Sequence, residues 1–205
     1  IVTLLFLSGI SIAQTADGKN VWGQKNQMFP AVYQEAFHSM IYEDDNMRVL
    51  DVYASAGDTT LFHRHCDPIL YITIHGEEVG LQEPNGKWKH LPLPTNWIGH
   101  NIYSRNSCFV HKFTVSGETH LQILAVEAKN EFEPIMGLKD PEYDEDFVVY
   151  KWKDSDKVKN LNLDSPILLV EKNCEGKCQV LVTNLVENIE LANFKIYSVG
   201  FKEMP

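Results

Sequence analysis

Between residues 36 and 127 the chain is a succession of short runs in which apolar and polar residues alternate: 47–54 (MRVLDVYA), 61–65, 69–75, 78–82, 108–115 and 121–126. Alternation with a period of two turns one face of each run to a core and the other to water, which predicts strands. Gly, Pro and Asn interrupt the runs at Ala56-Gly57-Asp58, Glu83-Pro84-Asn85-Gly86, 92–96 and Ser116-Gly117, where turns are expected. Helical patterning is confined to residues 31–40, enough for a turn or two. Many short strands with regular turns predict an all-β, antiparallel barrel or sandwich.

A second series of runs starts at Phe147 and continues through 167–170, 179–183 and 194–199. Before it lies an acidic stretch at 140–146 (DPEYDED), read as a solvated connector, with a cation site as the competing reading. Sliding the second series by 98 positions without gaps sets residues 147–168 against 49–70 and matches Asp156 to Asp58 and Pro166-Ile167-Leu168 to Pro68-Ile69-Leu70. In that register His63 and His65 meet Leu161 and Leu163. The second unit then keeps a fold element and loses any metal ligands. Coincidental β patterning is the alternative.

Composition narrows the function classes. With 18 basic and 28 acidic side chains the net charge is −10, a field that repels phosphate backbones and anionic lipid surfaces, so no nucleic-acid partner is expected. The body of the chain has no apolar run of about 20 residues, so no membrane span is expected. Residues 1–13 (IVTLLFLSGISIA) are apolar, uncharged and end on small residues, which predicts part of a signal peptide and an exported protein, periplasmic or secreted. A short buried helix or strand is the other reading. Export makes disulfides sustainable. Cys174 and Cys178 bracket a tight Glu-Gly-Lys turn and either pair across it or remain free thiols. The divisions are thus a partial signal peptide (1–13), an N-terminal segment (14–35), a barrel (36–128), an acidic linker (129–146) and a β extension (147–205).

Residues two apart on a strand share a face, so His63 and His65 in LFHRHCD present two imidazoles to one side. Two such rings can converge on one cation at about 2.1 Å per bond, with a third ligand from elsewhere. Gly57, His63, His65 and Gly76 fall in the register Gly-x5-His-x-His-x3-Glu-x6-Gly, and this segment resembles the first motif of the cupin family. The second cupin motif can be laid on residues 106–115, where only His111 matches. The family's carboxylate ligand falls on Ile69 and its Asn on Val115.

The resemblance implies an antiparallel β-barrel of the double-stranded β-helix type with a C-terminal β extension, a truncated second cupin half. It also implies His63, His65 and His111 as ligands of a divalent transition metal (Fe, Zn, Mn, Ni or Cu). Three neutral imidazoles leave the ion its full charge and open positions, which favours a small anionic or chelating molecule. The activity implied is that of a dioxygenase or an isomerase. The competing reading is a metal-free, non-catalytic cupin that acts as a ligand-binding or structural domain. His100 is the rival third histidine and Asp67 the rival carboxylate.

Tyr71, Thr73 and Phe113 share inward parity and either line the pocket or belong to the plain barrel core; His75 joins them if its strand runs unbroken and is otherwise a turn residue before Gly76. Cys66 and Cys108 fall on the outer face, where neighbouring strands can bring them together. His38, His90 and His120 read as surface residues, and the short C-terminal half reads either as truncated or as strands that complete another barrel, across a homodimer in one reading.

Overall fold

A computed structural model describes residues 29–104, 106–133, 140–153, 166–186 and 189–202. The leader assigned to residues 1–13 and the positions Leu161 and Leu163 lie outside them. Along the described chain a 3-10 turn (Val32–Gln34) precedes β1 (His38–Glu43), β2 (Met47–Ala54), β3 (His63–His65), β4 (Ile69–His75), β5 (Glu78–Gln82), β6 (Lys89–Pro92), β7 (Ile98–Asn101), β8 (Phe109–Val115) and β9 (Leu121–Ala128). There follow β10 (Tyr143–Asp144), β11 (Phe147–Trp152), β12 (Ile167–Glu171), β13 (Val180–Thr183), a 3-10 turn (Leu191–Asn193) and β14 (Phe194–Phe201). No helix among the described residues is long and apolar enough to cross a membrane.

Two antiparallel sheets make the expected barrel. One has the order β1-β2-β9-β4-β7 and the other β3-β8-β5-β6. They close on a shared core that includes Leu50, Val52, Ile69, Phe113, Leu121 and Ile123. Alternate residues of the first sheet (Met47, Val49, Leu70, Ile72, Leu124, Val126) point the other way, onto Phe147, Val149, Leu168, Val170, Tyr197 and Val199 of a third sheet. Because β9 has protein on both faces, all eight of its residues are buried, and its sequence LQILAVEA lacks a clean polar alternation.

The third sheet, β10-β11-β14-β12-β13, reproduces the strand order of the first. The ungapped slide does not carry through to the pairing, however. Leu50 and Tyr71, 21 residues apart, flank Ala125, whereas Trp152 and Leu169, 17 apart, flank Ile196. The shared order holds while the register has moved by four residues.

Two local expectations are corrected. Residues 31–40 hold only one tight turn, because pairing of His38 with Val52 draws the backbone into β1 directly after it. The acidic stretch is docked rather than purely solvated, since Tyr143 and Asp144 pair with β11 and Asp146 bonds His100. The second β unit packs against the barrel's outer face, and among the described residues it has no partner sheet of its own. Both cysteine pairs form disulfides, Cys66–Cys108 beside the β3–β8 ladder and Cys174–Cys178 across its turn.

Candidate metal centre

Strand β3 is only three residues long, and its antiparallel register with β8 sets His63 opposite His111, Arg64 opposite Val110 and His65 opposite Phe109. Continued by one step, the same register brings Cys66 to Cys108, whose Cα atoms lie 4.3 Å apart. The disulfide thus clips the open end of a short ladder. Strand alternation turns His63, His65 and His111 to one face, where they are 0%, 2% and 8% exposed. Their ligating atoms all lie within 4.8 Å of one another, and the Nε2 atoms of His65 and His111 are 2.9 Å apart.

Burial governs the charge of the cluster. It pushes His63 down to about 4, with the nearby His38 adding to the effect, and it drives His65 and His111 well below the usual imidazole range. All three rings are therefore neutral at neutral pH. The His63 Nδ1–H donates to the Leu61 carbonyl at 2.9 Å, which fixes the tautomer and leaves the Nε2 lone pair without a partner. One Nε2–H is shared between His65 and His111, and the Nδ1 atoms of both are also unpartnered. A buried polar atom without a hydrogen bond costs about 1–3 kcal/mol. Converging neutral imidazoles with unused lone pairs are the donor set of a divalent transition metal, so the residues fit such an ion.

The other residues expected at the site divide. Phe113 and Thr73 are buried inside the barrel, and Tyr71 hydrogen-bonds with Tyr103, whose ring lies 5.7 Å from that of His65. Tyr103 itself carried no sequence signal. His75 is not in the pocket: a β-bulge between Thr73 and His75 shifts its partner on β9 to Gln122, and the ring leaves the barrel to stack on His120 at 4.1 Å. His120 is correspondingly half-buried rather than a plain surface residue. His100 is taken up by Tyr143 (2.5 Å) and Asp146 (2.8 Å), away from the other three rings. Asp67 follows the end of β3, so strand parity no longer applies; it lines a separate cavity of about 680 Å³ with Cys66, Pro68, Tyr103, Lys129 and Phe201. Ile69, at the family's carboxylate position, is wholly buried in the apolar core.

Two functional candidates were missed. His38, expected at the surface, is 5% exposed, and its ring lies 4.6 Å from that of His63 and 5.9 Å from that of Phe113. Glu35, 4% exposed, accepts hydrogen bonds from His38 Nδ1–H (2.7 Å), Phe37 N–H (2.9 Å) and Leu61 N–H (3.2 Å). Burial raises this carboxyl, but the three donors outweigh it and hold the group below the usual range. His38 has polar neighbours in sequence and no histidine or carboxylate partner at ligand spacing on its own strand, so nothing local marks it as buried. Continuing the β1–β2 hairpin back to Val52 would have placed His38 on the inward face.

No family model and no curated protein matches the sequence. Solved structures do resemble part of it. A cupin domain from Bordetella pertussis is 16% identical, with a TM-score of 0.41 over 50% of this chain and 97% of that one. A double-stranded β-helix protein from Klebsiella pneumoniae is 22% identical, with a TM-score of 0.37 over 45% and 75%. A cupin-family protein with that fold from Methanocaldococcus jannaschii is 12% identical, with a TM-score of 0.36 over 44% and 77%. The strand order described above, with a His-x-His strand facing a histidine on its neighbour, is the all-β cupin-type barrel that the sequence motif implied.

Proposed function

We propose that this protein is an exported cupin that binds one divalent transition metal through His63, His65 and His111 and receives a small anionic or chelating molecule at the remaining positions. The observation that carries this reading is the convergence of three buried, neutral imidazoles with unpartnered nitrogens. Outside a metal site such an arrangement costs stability and gains nothing in packing. When bound, the ion supplies Lewis acidity or, if it is iron, a means of activating dioxygen. The chain's own contribution is to orient. The Leu61 carbonyl fixes His63, the Cys66–Cys108 disulfide braces the β3–β8 pair, and Tyr103 forms a wall beside His65. The two disulfides support export, because such bonds persist outside the reducing cytosol.

A second reading, a metal-free binding cupin, is favoured by one observation: the carboxylate position holds Ile69 inside the apolar core. Metal analysis of protein purified without an affinity tag separates the two. One ion per chain in the parent and none in His63→Ala supports the metal centre. A metal-free parent that still binds small anions supports the alternative.

A further inference from the structure

Four buried histidines meet inside the barrel, and the fourth comes from outside the motif. The ligating atoms of Glu35, His38 and His63 lie within 4.8 Å of one another, as do those of His63, His65 and His111, so His63 belongs to both groups. We propose that His38, held by Glu35, is a fourth imidazole ligand of the metal centre and stands in for the carboxylate missing at Ile69. The inference rests on the reading of His63, His65 and His111 given above.

The hydrogen bonds prepare His38 for this role as they prepare His63. Each ring donates its Nδ1–H to a fixed acceptor, Glu35 for His38 and the Leu61 carbonyl for His63, which places the lone pair on Nε2; that of His63 is buried without a partner. One peptide ties the two arrangements together, since the Leu61 N–H donates to Glu35 while its carbonyl accepts from His63. A carboxylate behind an imidazole sets the tautomer and raises its basicity as a ligand. It also answers a charge problem. Three neutral imidazoles leave a buried +2 ion uncompensated, and Ile69 offers nothing; Glu35, ionised and 4% exposed, brings one negative charge to the centre through His38. The four donors form two overlapping groups rather than one, so an ion shared by all four draws His38 toward His65 and His111.

The test uses the full chain, stripped with a chelator and loaded with one equivalent of Cu(II). Pulsed electron paramagnetic resonance then counts the coordinated imidazoles. Four in the parent, three in His38→Ala with copper affinity lowered about tenfold or more, and lowered affinity with four imidazoles retained in Glu35→Gln are the expected results. Three imidazoles in the parent, with copper affinity unchanged in His38→Ala, overturns the fourth ligand and leaves the three-histidine reading standing. Failure of the parent to take up stoichiometric copper overturns both. The parent count needs no substitution, so a misfolded variant cannot decide the matter.

Discussion

The first and third sheets share one strand order and have opposite interiors. In the first, the face turned to the barrel carries Arg48, Tyr71, Thr73 and Glu127 among its apolar residues, and it looks across to the histidines of β3 and β8. In the third, the face turned away from the barrel carries Trp152, Ile167, Leu169, Leu181, Phe194 and Ile196, a largely apolar surface that also holds the buried Ser198 and the unpartnered Trp152 Nε1–H. No histidine occurs after His120. Among the described residues the same five-strand frame faces a histidine-bearing sheet in the first case and presents a largely apolar surface in the second. Inside the barrel the buried imidazoles leave ring nitrogens without a hydrogen bond, which costs stability in the metal-free chain.

Acid gives the largest separation between the two sheets. In the metal-free chain His63 titrates near 4, against about 6.5 when unfolded. Between these values the unfolded chain binds a proton that the folded chain refuses, so stability is complete above about pH 6.5 and is lost as pH falls toward 4. His63 alone accounts for about 3 kcal/mol, and His65 and His111 shift in the same direction. Glu127 acts in the opposite sense: burial pushes it up to about 7 despite Arg48 at 2.6 Å, so its contribution is lost as pH rises through 7. Urea midpoints in EDTA at pH 7, 5.5 and 4.5 are expected to fall together with pH. A midpoint that does not move would remove the neutral, buried histidines from the account.

Packing in the third sheet comes next. Phe147→Ala removes a fully buried ring from the layer between the sheets and is expected to cost about 3–5 kcal/mol in thermal or urea unfolding. Metal stoichiometry should stay at the parent value, since no ligand lies on this sheet. Loss of metal in a folded Phe147→Ala protein would show that the third sheet shapes the site as well as supporting it.

The two disulfides sharpen the contrast further. Cys66–Cys108 closes a span of 42 residues, worth about 4 kcal/mol by chain entropy, and Cys174–Cys178 closes only 4, worth about 2 kcal/mol. Replacing the first pair with serine is expected to lower both stability and metal affinity, because it braces the strand of His63 and His65. Replacing the second is expected to lower stability alone, read as unfolding temperature beside metal titration.

The smallest effect comes from two opposed changes. His65→Leu in EDTA is expected to move the stability of the metal-free chain by no more than about 1 kcal/mol, because it removes one unpartnered nitrogen and also takes from His111 Nε2 its hydrogen-bond partner. The same substitution abolishes metal binding. A marked loss of stability in EDTA would mean that the histidines are there for the fold.

Much of this was legible in the chain. Alternating runs located most barrel strands, the spacing of His63 and His65 within the Gly57 and Gly76 frame pointed to two of the clustered rings, and the second motif over residues 106–115 pointed to His111, which the fold brings to them. What escaped depended on events that a period cannot express. A single bulge after Thr73 re-aims His75, the end of β3 at His65 releases Asp67 from its parity, and the passage from the 3-10 turn at residues 32–34 straight into β1 buries Glu35 and His38 despite their polar neighbours. Tyr103 and the His100–Asp146 contact are set by tertiary packing between segments far apart in sequence.

Anomalous diffraction from crystals loaded with one equivalent of zinc or copper locates the ion itself. One strong peak per chain is expected, bonded at about 2.1 Å to a ring nitrogen of each of His63, His65 and His111. A peak at another set of side chains, or none between those three rings, would contradict the three-histidine centre.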